Sequence, residues 1–126
     1  MTLTIQCITL DAHEPKALAH FWAEVLGWSV SEDGDDIGWW IERDLGDPMK
    51  TGFPDILFLK VSDSKIIKNR MHLDLRPDDQ NVEVARLEKL GAKKIEIGQS
   101  SDLETTWVVM ADPEGNEFCV LKAKSD

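Results

Sequence analysis

The chain has 126 residues, 42% of them apolar and 30% charged, with a formal net charge of -10. That is enough for one hydrophobic core, too little for two independent ones, and too apolar for a disordered segment. The excess of acid repels phosphate backbones and anionic bilayers, which argues against a nucleic-acid or membrane partner. The opening run MTLTIQCITLDAHE has no basic stretch followed by an apolar one, and no apolar run approaches a membrane span. A cytoplasmic protein is expected, and Cys7 and Cys119, both in strand-like runs, are expected to be buried thiols rather than a disulfide.

Residues 3 to 11 read as a strand. A helix follows, in which Leu18, Phe21, Trp22 and Val25 recur at helical spacing and so share one face. Asp11 offers a cap, Pro15 suits the first turn, and Gly27 suits a left-handed end. WSVSE and IGWWIER, separated by a turn near Gly34, read as a hairpin. Residues 44 to 54 hold two Pro and two Gly and read as a loop, after which DILFLKV at 55 to 61 resumes a strand.

The same order then returns: MHLDLRP, the helical DDQNVEVARLEKLGA, KKIEIG, TTWVVMAD, the turn DPEGN and EFCVLKA. Aligning Leu26-Gly27 with Leu90-Gly91, and allowing one residue fewer in the second strand-to-helix connection, places Leu10 against Leu75 and Cys7 against His72. A period of this length marks a duplicated module rather than a solenoid repeat. The expected fold class is α+β, one domain of two βαβββ modules at about 1-62 and about 69-124, forming a curved mixed sheet with a concave groove suited to a ligand.

The runs LAHFWAEVLGW at 18 to 28, KNRMHLDLRP at 68 to 77, ARLEKLGA at 85 to 92 and, most specifically, WVVMADPEGNEFCVL at 107 to 121 resemble the glyoxalase/bleomycin resistance/dioxygenase (vicinal oxygen chelate) superfamily and its small glyoxalase-like members. The resemblance implies a metal held in the groove by one residue near the start of each module and one on each last strand. Carried over by position these are Cys7, a residue on the strand 55 to 61, His72 and Glu117. The chain departs from that pattern. Cys7 stands where His or Gln is usual, with Gln6 facing the other side, and the strand 55 to 61 is apolar where acid is expected, with Asp55 at its edge. A divalent ion (Zn, Ni, Mn or Fe) is therefore expected to bind weakly or not at all.

His72 and Asp74 alternate onto one side of their strand, as do Glu117 and Cys119. His72 with Glu117 can form a metal site, an acid-base pair, or a hydrogen-bonded polar pair that only stabilises the groove floor. Lys65, Lys68 and Arg70 form a basic cluster that can grip a carboxylate or phosphate, or be solvated linker charge. Adjacent Trp39 and Trp40 must face opposite ways, so one can stack on a ligand while the other packs below. Trp22 and Trp107 are expected in the core, His13 and His20 in exposed or capping roles, and DPEGN as a turn with Gly115 at positive φ. The resemblance implies a small-molecule protein of lyase, isomerase or dioxygenase type, or a non-catalytic module that sequesters a drug or antibiotic. It also implies a homodimer, for which exposed sheet edges argue as well.

Overall fold

A computed structural model describes residues 3, 5–43, 54–95 and 106–124. The chain divides into two compact units, residues 1–64 and 65–126. Each carries one helix and, among the described residues, a four-stranded mixed sheet. The architecture is α+β, with the βαβββ order that the sequence predicts in both units.

In the first unit β1 (Cys7–Ala12) leads into α1 (Pro15–Leu26), followed by β2 (Ser29–Val30), β3 (Gly38–Glu42) and β4 (Asp55–Lys60). The sheet order is β1-β4-β3-β2, with β1 parallel to β4 and the other pairs antiparallel. The apolar stripe of α1 buries Leu18, Ala19, Phe21, Trp22 and Val25, and the sheet buries Ile41, Ile56 and Phe58. Ile41 pairs with Ile56 and Trp39 with Phe58, so these four side chains lie on the face that α1 covers. Pro15 opens α1, and Gly27 closes it at φ 69 in the left-handed region that costs glycine least.

The second unit runs β5 (Leu73–Leu75), α2 (Gln80–Leu90), β6 (Lys93–Lys94), β7 (Val108–Ala111) and β8 (Glu117–Val120), in the order β5-β8-β7-β6. Again the first strand is parallel to the last, in the register Leu73 to Phe118, Asp74 to Cys119 and Leu75 to Val120. Phe118, Val120 and Met110 are fully buried, and Val84 and Leu87 of α2 are also buried in the core. Asp79 caps α2 by accepting the Val82 N–H at 3.1 Å, and Gln80 donates to the Val120 carbonyl, tying the helix start to β8. Gly91, at φ 116, ends the helix.

Four expectations change. Asp11 does not cap α1, because β1 continues through Ala12 and the cap position falls on Glu14, which makes no side-chain cap bond. Cys7 is exposed, since it opens an edge strand on the face turned away from α1. Trp107 is 39% exposed rather than in the core, because β7 begins one residue later. The strand expected over MHLDLRP shortens to three residues, and His72 stands just before it. Residues 44 to 53 of the expected loop lie outside the described residues, as do residues 96 to 98 of KKIEIG and 105 of TTWVVMAD.

Candidate functional site

In the second unit, register places polar chemistry on one sheet face. Asp74 and Cys119 are direct partners across β5 and β8, and Glu117 lies two residues before Cys119, so these three share a face, while His72 approaches Asp74 from the segment just before β5. The apolar side chains of Leu73, Leu75, Phe118 and Val120 take the other face.

Glu117 is held on both oxygens. Lys65 Nζ donates to Oε2 at 2.8 Å and the Asn69 backbone N–H donates to Oε1 at 3.1 Å. The Lys65 and Glu117 side chains are only 18% and 14% exposed, which makes this a largely desolvated ion pair. Burial by itself raises the Glu117 carboxyl. The Lys65 hydrogen bond, the Asn69 N–H, its own backbone N–H and the Lys65 charge outweigh that and hold it below the ordinary value.

The turn DPEGN builds this arrangement. The buried Asp112 accepts the N–H groups of Glu114 and Asn116 at 2.9 Å each, and its other oxygen accepts Asn116 Nδ2 at 2.8 Å. Asn116 Oδ1 in turn accepts Asn69 Nδ2 at 2.8 Å. A chain of hydrogen bonds thus runs from Asp112 through Asn116 and Asn69 to Glu117, clamping the segment before β5 onto β8. Gly115 has φ 91, as the turn requires. Lys68 and Arg70, both exposed, flank the anchored Asn69.

Beside this network His72 Nδ1 lies 3.3 Å from Asp74 Oδ1, both side chains being well exposed. One donor atom each from His72, Asp74 and Cys119 fall within 4.8 Å of one another. Cys119 is 9% exposed. Burial pushes its thiol up, and the charge of Asp74 and a hydrogen bond to it add to that, with Lys68 acting in the opposite direction.

In the first unit, Trp39 turns to the α1 side. His20 of α1 lies against it with ring centroids 6.0 Å apart, Lys16 Nζ sits 5.4 Å from its centroid, and a Cβ added at Gly34 would fall 2.2 Å from its ring. Trp40 faces the other way, on the side of its partner Leu57. Cys7 is on that second face too, with Sγ 3.6 Å from Thr9 Oγ1 and Asp55 as its partner across β4. His13 and His20 are exposed, and His20 Nδ1 lies 2.9 Å from the Lys16 carbonyl.

Of the positions that the resemblance implies as metal ligands, His72 and Glu117 lie in the second unit, and Cys7 and β4 lie in the first. An ammonium already sits on the Glu117 carboxylate, where it would repel a divalent ion, and β4 offers acid only at its first residue. Sequence reasoning singled out Lys65, Lys68, Arg70, His72, Asp74 and Glu117. It missed Asn69, Asn116 and Asp112, whose bonds close over sequence separations of up to 48 residues. The one local signal was DPEGN, where an Asp four residues before an Asn builds a side-chain-supported turn.

The profile of the glyoxalase-like domain family matches residues 7–121. Among solved structures, a glyoxalase/bleomycin resistance protein/dioxygenase family enzyme from Burkholderia phytofirmans superposes with a TM-score of 0.68 at 19% identity, over 94% of this chain and 98% of its own. The fosfomycin resistance protein FosX from Mesorhizobium loti gives 0.63 at 12% identity, over 98% and 94%. A bleomycin-binding protein complexed with bleomycin gives 0.58 at 17% identity, over 98% and 100%. At such identities the likeness is one of fold. No curated protein sequence matches significantly.

Proposed function

The chain belongs to the glyoxalase-like domain family, and from that premise we propose that it binds a small anionic organic molecule without a metal held between His72 and Glu117. The carrying observation is the Lys65–Glu117 ion pair: the carboxylate that would complete a His/Glu metal centre is neutralised by a cation of the protein itself. Enolate chemistry of the vicinal-oxygen type needs several protein ligands on one ion, and this pairing removes one of them. The reading therefore favours a sequestering protein over a lyase, isomerase or dioxygenase. Fold alone does not choose, since the similar structures include a family enzyme and a bleomycin-binding protein.

Lys68 and Arg70 are the proposed ligand grip. Their shared neighbour Asn69 is fixed on Glu117 and Asn116, so two exposed cations are presented from an anchored backbone, and Arg suits a bidentate carboxylate or phosphonate. Separately, within the first unit, we propose Trp40, on the sheet face turned away from α1, as a residue that stacks on an aromatic molecule, whereas Trp39 is committed to His20 and Lys16. We further propose a cytoplasmic homodimer forming one glyoxalase-like domain per chain. No helix among the described residues is long and apolar enough to cross a membrane.

A second reading has its own observation. The His72–Asp74 contact at 3.3 Å can orient an imidazole for proton transfer, which would suit metal-free isomerase or lyase chemistry. Calorimetry of the chelator-treated chain with salicylate, fosfomycin and bleomycin separates the two. Saturable binding of unaltered probe, weakened about tenfold or more by Arg70→Ala, supports sequestration. Conversion of probe that disappears in Asp74→Asn supports the second.

A further inference from the structure

We propose that His72, Asp74 and Cys119 form a zinc site on the second unit, distinct from a His72/Glu117 centre and independent of whether the same face binds an organic molecule. Asp74 and Cys119 are direct partners across β5 and β8, so their side chains leave the same face, and His72, in the segment just before β5, brings its ring to Asp74. Their donor atoms lie within 4.8 Å of one another, and the His72 to Asp74 contact is already 3.3 Å. Tetrahedral zinc, with bonds of about 2.0–2.3 Å, needs donor separations of roughly 3.3–3.8 Å. One contact is therefore at ligand spacing, and the others, within 4.8 Å, need to close by up to about 1.5 Å, within reach of side-chain rotation.

The donor types select the metal. Imidazole nitrogen, carboxylate oxygen and a sulfur together suit zinc, whereas calcium and magnesium want oxygen alone. Three protein donors leave a fourth position open, and the exposure of His72 and Asp74 gives an ion a path in from solvent. Glu117 is absent from the set because Lys65 and Asn69 occupy it. Its neighbour two residues along β8 supplies the sulfur instead.

The test is titration of the full chain, in a Cys7→Ser background, with Zn²⁺ against a chromophoric chelator and with Co²⁺ by absorption spectroscopy. One equivalent of each ion is expected, with an intense sulfur-to-cobalt charge-transfer band. Cys119→Ala should abolish the band, and Asp74→Asn should weaken zinc binding about tenfold or more. Glu117→Gln should leave both unchanged. Near-ultraviolet circular dichroism confirms that each variant is folded, and because Asp74 is exposed its variant remains informative if Cys119→Ala is not. No uptake by the folded chain, or uptake that survives Asp74→Asn and Cys119→Ala, overturns the proposal. Uptake lost in Glu117→Gln but kept in Asp74→Asn overturns it in favour of the His72/Glu117 pair.

Discussion

Lys65 Nζ lies 2.8 Å from Glu117 Oε2, bridging the segment before β5 to the first residue of β8. A charge-assisted bond in so little solvent fixes both groups, and it decides what the carboxylate can do. With an ammonium on one oxygen and an amide N–H on the other, Glu117 organises the surrounding loop.

Removing Lys65 leaves the Glu117 carboxylate partly buried with its main charge partner gone. Lys65→Ala is expected to cost about 1–3 kcal/mol of stability at neutral pH. Urea unfolding followed by tryptophan fluorescence measures it, and a variant as stable as the parent would show that the pair contributes nothing.

The same pair sets a pH dependence. The folded Glu117 carboxyl lies below its ordinary value of 4.5, so the unfolded chain takes up its proton first as pH falls. The stabilisation is complete above 4.5 and is lost as pH drops through the folded value. Unfolding curves from neutral pH to below that point should show Glu117→Gln losing less stability on acidification than the parent. Parallel acid profiles would contradict it.

The two thiols should react at different rates. Cys7 is exposed on an edge strand, whereas burial and Asp74 keep Cys119 in its thiol form. A disulfide reagent should titrate one sulfur quickly and the second only slowly or on unfolding, and Cys7→Ser should remove the fast phase. Two equal fast phases would be incompatible with a buried Cys119.

Gly34→Ala tests the packing of Trp39. The new Cβ would meet the indole at 2.2 to 2.5 Å, so the ring must shift off His20 and Lys16. A loss of about 1–3 kcal/mol is expected, with a change in the near-ultraviolet circular dichroism of the tryptophans. An unaltered spectrum and stability would mean that the ring is not held there.

Assembly is a separate matter. Among the described residues, the outer strands of the sheets are β1 and β2 in one unit and β5 and β6 in the other. Light scattering coupled to size exclusion should give twice the chain mass, and a monomer at micromolar concentration would sink the proposed homodimer.

Local chemistry made most of the fold readable. The stripe from Leu18 to Val25, the glycines closing each helix and the DPEGN turn are all short-range signals, and they recover the order βαβββ twice. Faces were readable only in relative terms. Alternation says that Trp39 and Trp40 oppose each other, but only the approach of His20 and Lys16 from α1 says which is covered. The site was readable as residue types and not as partners. Lys65 stood out as a basic residue in an acidic chain, yet its bond to Glu117 closes across 52 residues, beside the comparably long-range bond of Asn69 to Asn116. Cys7 and Trp107 read as core because their runs are apolar, and the start points of β1 and β7 leave both exposed.

The most direct measurement is an amide-resolved NMR titration of the chelator-treated chain with salicylate and fosfomycin, repeated on Glu117→Gln. The expected result is saturable shifts at residues 65 to 72, without added metal. Shifts that appear only after a divalent ion is supplied, and that vanish in Glu117→Gln, would contradict metal-independent binding and return Glu117 to the role of a metal ligand.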